Sequence, residues 1–240
     1  MNRPAAPRAM VIVNGDDIHH DLISAALVFQ QIGTEAGFAT RRAAGTGRFT
    51  EPRPETAEND VFVFYTSGGQ FHPAQQQALA AMVAGRREGS GGREGSGGKG
   101  LVGIHCACIM GLPGDRALYE LLGCRYLSHG PGHHEGRHTV EVLAGHPVTA
   151  GLSDFELFDE YYEFELADDK VTVLAQRHRA DGVVIPVMYA REAGAGRVVY
   201  LALGHDMRAW GEPSFRALVR QAMTWAAEPA LAARAVEARA

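Results

Sequence analysis

The sequence predicts an α/β fold with a mostly parallel central sheet, and two observations indicate it. Several short segments are continuously apolar, as strands are when both faces of a parallel sheet are covered; they are residues 9–13, 61–65, 100–105 and 197–203. Helical patterns alternate with the first three segments. Such alternation predicts right-handed crossover connections between parallel strands.

The remaining elements can be predicted in order along the chain. Helices are expected at about 22–35, 73–87, 115–122 and 213–225. Asp21 is a predicted cap of the first helix, and Pro73 lies in the first turn of the second. A strand is expected at 38–41, and the Ala- and Arg-rich tail at 228–240 is predicted to be either helical or frayed. Beyond residue 123, short strand-like runs alternate with loops, at 139–142, 162–166, 171–174 and 187–189.

The composition excludes several classes of protein. Of the 240 residues, 46% are hydrophobic and 21% charged, a balance typical of a globular protein rather than of a disordered chain, and the length fits one large domain or two small ones. A net charge of -5 argues against nucleic acid as a partner, and no apolar run is long enough to span a membrane. Three cysteines and the absence of an evident signal peptide lead us to expect a reducing, cytoplasmic location.

An excess of glycine has one local source. The hexapeptide REGSGG occurs twice in tandem, at 87–92 and 93–98. Glycine and serine in this proportion form flexible tethers that bury nothing. We therefore predict a flexible, duplicated surface loop over 87–99, located between a helix and a strand and away from any functional site.

Polar and titratable residues follow four of the predicted strands, and this convergence predicts a functional site. The residues are Asp16, Asp17, His19 and His20 after the first strand, Ser67, Gly68 and Gly69 after the 61–65 strand, His105 and Cys106 after the 100–105 strand, and His205 and Asp206 after the last. Ligands of parallel sheets bind beyond the carboxyl ends of the strands, where these residues would meet.

The two histidines at strand ends are the main candidates for chemistry. His105 and His205 could act as acid, base or metal ligand near neutral pH, whereas the alternative for each is a histidine that only completes local hydrogen bonds. Cys106 or Cys108 could be an activated nucleophile, although buried cysteines more often serve as packing residues.

A second group of histidines lies in the middle of the chain. His129, His133, His134 and His138 have a spacing that could hold zinc, but no cysteine pair accompanies them, and a solvated loop is the alternative. A mixed site of His105, His129 and His205 is an equal possibility for a metal. The segment Asp159–Glu160–Tyr161–Tyr162 offers a general base or a sugar-hydroxyl acceptor beside stacking rings, or else a solvated strand edge.

Motifs along nearly the whole chain, from about residue 10 to 227, resemble the trehalose-utilisation (ThuA-like) family. They are Asn14–Gly15 with His20–Asp21, the segment GLVGIH ending at His105, Tyr126 with His129, HPVTAGL at 146–152, Asp159–Glu160 with Tyr162, LGHD at 203–206, and Trp225 with two alanines. The order and spacing of these motifs together are more specific than any one of them.

The resemblance implies a fold, a site and a metabolic role. The fold would be a single domain over residues 1–240, a flavodoxin-like, three-layer sandwich as in class I glutamine amidotransferases. His105 would stand where those enzymes present a nucleophilic cysteine, with Cys106 one residue out of register, and His205 would match their general base. Ser67, Gly68 and Gly69 would match the loop that holds a substrate oxyanion. The family is associated with catabolism of trehalose and related disaccharides, acting on oxidised keto-sugars beside a sugar dehydrogenase.

Together these interpretations predict an enzyme that performs acid–base chemistry on a sugar. The expected catalytic residues are His105, His205, Glu160 and Asp206; the expected substrate-binding residues are His20, Asp21, Ser67, Gly68, Gly69, His129, His133 and Tyr162. No cofactor is firmly implied, and a histidine-bound divalent metal stays open, as do a homodimer and a functional link to a sugar dehydrogenase. The alternatives are a thiol hydrolase using Cys106 and a non-catalytic sugar-binding or regulatory subunit.

Overall fold

The computed structural model describes residues 6–15, 18–50, 54–85, 97–109, 116–167 and 169–239. Its strands are β1 (Arg8–Gly15), β2 (Ala39–Ala44), β3 (Val61–Ser67), β4 (Gly100–Ile104), β5 (Cys124–Ser128), β6 (Glu135–Val142), β7 (Phe155–Glu160), β8 (Glu163–Leu166), β9 (Thr172–His178), β10 (Val184–Ala193) and β11 (Gly196–Leu201). Its helices are α1 (Leu22–Glu35), α2 (Pro54–Ala57), α3 (Pro73–Ala84), α4 (Ala117–Leu122), α5 (Met207–Trp210) and α6 (Pro213–Glu237).

Nine of these strands form one sheet, in the order β2-β1-β3-β4-β11-β10-β9-β6-β7. The pairings from β2 to β11 are parallel, and the pairings from β11 to β7 are antiparallel. Strands β5 and β8 pair separately as a small antiparallel ribbon. The expected sheet is therefore present, but its parallel half is matched by an equally long antiparallel half.

Helices cover both faces of the parallel half, which gives three layers. Alternate residues of β1, such as Val11 and Val13, pack with α1 and α6 on one face. The residues between them, Met10 and Ile12, pack with α3 and α4 on the other face. Because successive side chains of a strand point to opposite faces, a strand buried on both sides must be apolar throughout, as these are.

Several elements differ from those predicted. The closing helix α6 continues through most of the 228–240 tail to Glu237, with Pro229 inside it. Strands β5 and β7 were not expected, and β6, β9 and β10 are longer than the runs that predicted them. These strands carry polar residues on their partly exposed faces, so the apolar signal covers only part of their length.

The predicted 87–99 loop lies outside the described residues except at its end. Gly98 and Lys99 lie before β4, where their backbone N–H groups donate to the carbonyls of Ala195 and Met82. This end of β4 is opposite the carboxyl ends of the parallel strands. Asp16 and Asp17 also lie outside the described residues. Within the described ranges, no helix is both long enough and apolar enough to cross a bilayer.

Candidate active site

The backbone at His105 is held in an unusual conformation at the carboxyl end of β4. Its φ of 50° makes it the one non-glycine residue with positive φ in the described part of the chain. A 3-10 turn over His105–Ile109 follows directly, and the Tyr200 hydroxyl donates to the His105 carbonyl at 2.8 Å. Such strain costs on the order of 1–3 kcal/mol and is found chiefly where function requires it.

Hydrogen bonds fix the orientation of the buried His105 ring. Its Nδ1 lies 3.0 Å from the carbonyl oxygen of Ala202, and a carbonyl only accepts, so Nδ1 carries a hydrogen. The other ring nitrogen, Nε2, lies 3.1 Å from Glu160 Oε2 and 3.2 Å from His205 Nδ1. The ring of Tyr162 stacks on the imidazole with centroids 4.0 Å apart. Nε2 is therefore the atom that His105 presents to its neighbours.

The position of His205 after β11 depends on a buried carboxylate that the sequence did not single out by itself. The Asp159 carboxylate accepts hydrogen bonds from the backbone N–H groups of Gly204, at 2.6 Å, and His205, at 2.9 Å. Burial raises the pKa of Asp159, although these N–H donors and the nearby His105 act in the opposite direction. The Tyr65 hydroxyl donates to the His205 carbonyl at 2.6 Å. Asp159 thus joins the turn after β11 to strand β7.

Glu160, the next residue, points into the site and contacts three histidines. Its Oε2 lies 3.1 Å from His105 Nε2, 3.3 Å from His129 Nε2 and 3.3 Å from His205 Nδ1. Burial by itself would raise the pKa of Glu160, but hydrogen bonds from His105 and His205 outweigh it and hold that pKa far below its usual range. Burial would likewise lower the pKa of His205, but Glu160 raises it. The site therefore holds a carboxylate paired with imidazole.

His20, after β1, completes the group. Its ring centroid lies 4.8 Å from that of His205 and 5.3 Å from that of His105. Burial and the proximity of these two histidines lower the pKa of His20 to about 3, so the imidazole is neutral at pH 7. One ligand atom each from His20, His105, Glu160 and His205 lies within 4.8 Å of the others, and these four residues are called the His–Glu cluster below.

The His–Glu cluster has the donor set of a divalent metal site. Imidazole nitrogen and carboxylate oxygen suit zinc and other first-row metals. The 3.1 Å separation of His105 Nε2 from Glu160 Oε2 is close to the distance between two ligands of one zinc ion, about 3.3 Å for bonds of ~2.0 Å, and a ring nitrogen of His20 lies within 4.8 Å of both atoms. The hydrogen bond from His105 Nδ1 to a backbone carbonyl is the orienting contact that metal-bound histidines usually make. These residues therefore fit a metal.

The mid-chain histidines have different surroundings. His129 contacts the His–Glu cluster at Glu160, where its Nε2 lies 3.3 Å from Oε2, and its Nδ1 lies 2.8 Å from the Tyr126 hydroxyl. Its ring stacks on His134, whereas His133 is exposed. The mixed metal site expected from the sequence contained His105, His129 and His205. The group of ligand atoms in the structure contains His105 and His205, but with His20 instead of His129. His129 contacts the His–Glu cluster at Glu160, but its ring nitrogens are not in that group of ligand atoms.

Two acidic candidates lie apart from the His–Glu cluster because they cap helices. Asp21 accepts from the N–H of Ser24 at 2.9 Å at the start of α1, as its predicted capping role requires. Asp206 caps α5 by accepting from the N–H of Arg208 at 2.8 Å, and it also pairs with that guanidinium. Neither carboxylate is in the group of ligand atoms, so Glu160 is the carboxylate that the structure brings to both histidines.

The predicted oxyanion loop lies at the same edge of the sheet. Gly68 and Gly69 follow β3 with φ angles of 69° and 82°, a conformation that favours glycine. A Cβ on Gly69 would lie 2.6 Å from the Cα of Gly15, so the turn also requires glycine for its close approach to β1. The backbone of Ser67 pairs with Gly15 in the sheet. The loop is therefore next to the turn that leads to His20.

The thiol alternative finds little support in the surroundings of Cys106. The side chain is fully buried, and burial raises its pKa well above the ordinary thiol value. A nucleophilic cysteine needs an accessible thiolate, which such surroundings disfavour. Cys108 and Cys124 are also buried, so the three free cysteines behave as packing residues.

Comparison with known proteins identifies the family. The family model described as "ThuA: Trehalose utilisation" matches residues 8–226. The chain belongs to the ThuA family. This confirms the resemblance seen in the sequence motifs. No curated protein sequence matches the chain.

Solved structures confirm the fold of this ThuA family member. A ThuA-like protein from Parabacteroides merdae is 16% identical with a TM-score of 0.72, and the match covers 92% of this chain and 90% of that one. A ThuA-like protein from Bacteroides uniformis is 19% identical with a TM-score of 0.69, covering 94% of both chains. A glutamine amidotransferase from Thermotoga maritima is 13% identical with a TM-score of 0.56, covering 92% and 99%. The expected amidotransferase-like α/β fold is therefore confirmed.

Proposed function

We propose that this ThuA family member is an enzyme that carries out acid–base chemistry on a keto-sugar of disaccharide catabolism, with a divalent metal held by the His–Glu cluster. The observation that supports the proposal best is the meeting of three histidines and Glu160 around the strained His105 turn. A sugar dehydrogenase would supply the substrate, because it oxidises a ring hydroxyl to the ketone that such chemistry requires.

The residues of the His–Glu cluster would divide the work. His20, His105 and Glu160 would hold the cation, since catalytic metal sites commonly use three protein ligands and leave a position for substrate. The bound cation would polarise the sugar carbonyl. His205, which by the resemblance would match the general base of class I glutamine amidotransferases, would take a proton from the carbon beside that carbonyl. The same imidazolium would return the proton to a neighbouring atom of the sugar in an isomerisation, or to the departing oxygen in an elimination.

Metal analysis and turnover together test this function. Elemental analysis of the purified protein should find about one divalent metal per chain, and a chelator should abolish turnover of a keto-trehalose until metal is restored. His105→Ala and His205→Ala should each lose turnover with the fold intact by circular dichroism. Full activity in both variants would exclude the proposal. Thermal stabilisation by the sugar without any turnover would instead support the non-catalytic alternative.

A further inference from the structure

An open cavity of about 520 Å³ lies at the carboxyl edge of the parallel strands, beside the outer strand of the sheet. Its walls are the ends of β1 and β2 and the first turns of α1, and none of the four residues of the His–Glu cluster lines it. Its volume is within the range of small-molecule sites, about 300–1,000 Å³. This edge of a parallel sheet is also where α/β proteins bind ligands.

The cavity exists because α1 and β2 pack closely at one end only. A Cβ on Gly33 would lie 2.6 Å from the Oγ1 of Thr40, so the helix and the strand are in direct contact there. Gln30 Nε2 donates to the Thr40 carbonyl at 3.0 Å and closes this end further. Small side chains, those of Ala26 and Ala44, line the opposite end and leave space between the two elements.

The lining is mainly apolar and includes a large hydrophobic side chain that solvent reaches. Leu22 and Ile23 contribute to it from α1, and Val13 contributes from β1. Ile23 is 73% exposed, and Leu27, on the same face of the helix one turn later, is 50% exposed. Exposed apolar side chains grouped beside one cavity are typical of a surface that binds a ligand or a partner.

One cation lines the cavity without a counter-ion. Arg42 is the only ionisable residue among the described residues of the lining. The register of β2 pairs Arg42 with Val11 of β1, whose side chain packs on the face that α1 covers, so the arginine points to that face as well. Arg42 is exposed, and within the described ranges it forms neither an ion pair nor a hydrogen bond. Its guanidinium is therefore available to a ligand.

These features indicate the chemical class of the ligand. Apolar walls favour a hydrocarbon chain or an aromatic ring, and a guanidinium without a counter-ion favours a carboxylate, which it binds through two parallel hydrogen bonds. A neutral apolar compound would leave Arg42 unpaired. A compound with several negative charges would meet a single cation in a lining that is otherwise uncharged among the described residues. A compound with an apolar body and one negative charge matches both the walls and the arginine.

We propose that this cavity binds a small amphipathic carboxylate, with the apolar body of the ligand between α1 and β2 and its carboxylate paired with Arg42. The inference goes beyond the proposed function and does not rest on it, because no residue of the His–Glu cluster takes part. It gives the protein a second binding site at the same edge of the sheet, for a compound whose chemistry differs from that of a sugar.

Binding of decanoate and decanol to the purified protein tests the site, because the two compounds share an apolar chain and differ in charge. Displacement of the fluorescent dye anilinonaphthalene sulfonate, itself an apolar compound with one negative charge, measures both affinities. Decanoate should bind more tightly than decanol. Arg42→Gln should weaken decanoate binding about tenfold and leave decanol binding unchanged, since it removes one charged contact. Ala44→Phe, at an exposed position, should weaken the binding of both compounds because the ring fills the cavity.

Arg41→Gln is the matched control, because Arg41 precedes Arg42 on the same strand, points to the opposite face and does not line the cavity. Equal affinities for decanoate and decanol, or equal losses of decanoate affinity in the two arginine variants, would overturn the proposal. Dye binding that is unchanged in folded Ala44→Phe would also overturn it. A protein that sediments as a dimer with or without decanoate, and as a monomer in Leu27→Asp, would assign this face to a second copy of the chain and exclude the ligand site.

Discussion

The two halves of the large sheet contribute to the site in different ways. In the parallel half, from β2 to β11, the four strands inside the edge strand β2 are buried on both faces, and His105 and His205 lie where two of them end. The antiparallel half, from β10 to β7, is partly exposed and supplies Glu160 from its edge strand. The parallel half therefore fixes the positions of the His105 and His205 imidazoles, while the antiparallel half provides the carboxylate that pairs with them.

The largest effect on turnover is expected from removing the contact between the two halves, which is the pairing of Glu160 with His105 and His205. Glu160→Gln keeps the shape of the side chain but removes the charge that pairs with His105 and His205. Turnover of a keto-trehalose should fall by about 10³-fold or more, because both the metal binding and the proton transfer of the proposed function would depend on that charge. Steady-state kinetics will measure the fall in turnover, and a thermal melt will check that the variant is folded. Glu156→Gln, an exposed change on the same strand, is the control; equal activity in the two variants would contradict the role of Glu160.

Zinc affinity should distinguish His20, which follows a strand of the parallel half, from His129, which lies in the loop between the separate ribbon and β6 of the antiparallel half. His20 belongs to the His–Glu cluster, whereas His129 reaches it only through Glu160. We expect His20→Ala to weaken zinc binding more than about 100-fold and His129→Ala about 10-fold, as for a ligand and for a residue that supports a ligand. Competition with a chromophoric chelator measures both. The reverse order would restore the mixed site of His105, His129 and His205.

The sequence predicted the parallel half better than the antiparallel half, for physical reasons. Strands buried on both faces are continuously apolar, and the carboxyl ends of parallel strands converge, so His105 and His205 could be placed together without a structure. Asp159 was harder to interpret, because a carboxylate usually marks an exposed position and this one is buried by backbone hydrogen bonds. The period of two in Phe155, Leu157 and Asp159 was the available signal for its inward direction.

The approach of His20 to the other residues of the His–Glu cluster and the partial pairing of β6 with β9 could not have been predicted from periodicity. His20 precedes α1, outside any strand or helix, so no periodic pattern fixes the direction of its ring. Strands β6 and β9 pair at Glu141 with Gln176 and at Val142 with Ala175, and register between strands distant in the sequence is a property of the assembled sheet.

A smaller effect is expected for Asp206, which belongs to the parallel half but acts on a helix. Asp206→Ala should lower the free energy of unfolding by about 0.5–2 kcal/mol, because it removes the side-chain cap of α5. Turnover should change little, since Glu160 and not Asp206 contacts the imidazoles. Chemical denaturation and kinetics on the same sample separate the two effects. A loss of turnover comparable to that of Glu160→Gln would return Asp206 to the catalytic residues.

The smallest expected effect concerns the pH dependence of stability in the antiparallel half. The pKa of His138 in the folded protein lies below its value in the unfolded chain, because burial disfavours the imidazolium. Below about pH 6.5 the unfolded chain therefore binds more protons than the folded one, and stability falls as the pH decreases toward the folded pKa. His138→Leu removes this contribution, so its stability should decrease less than that of the parent protein between about pH 7 and pH 5. Urea denaturation of both proteins at several pH values measures the difference. Identical slopes in the two proteins would mean that His138 binds protons equally in the folded and unfolded states.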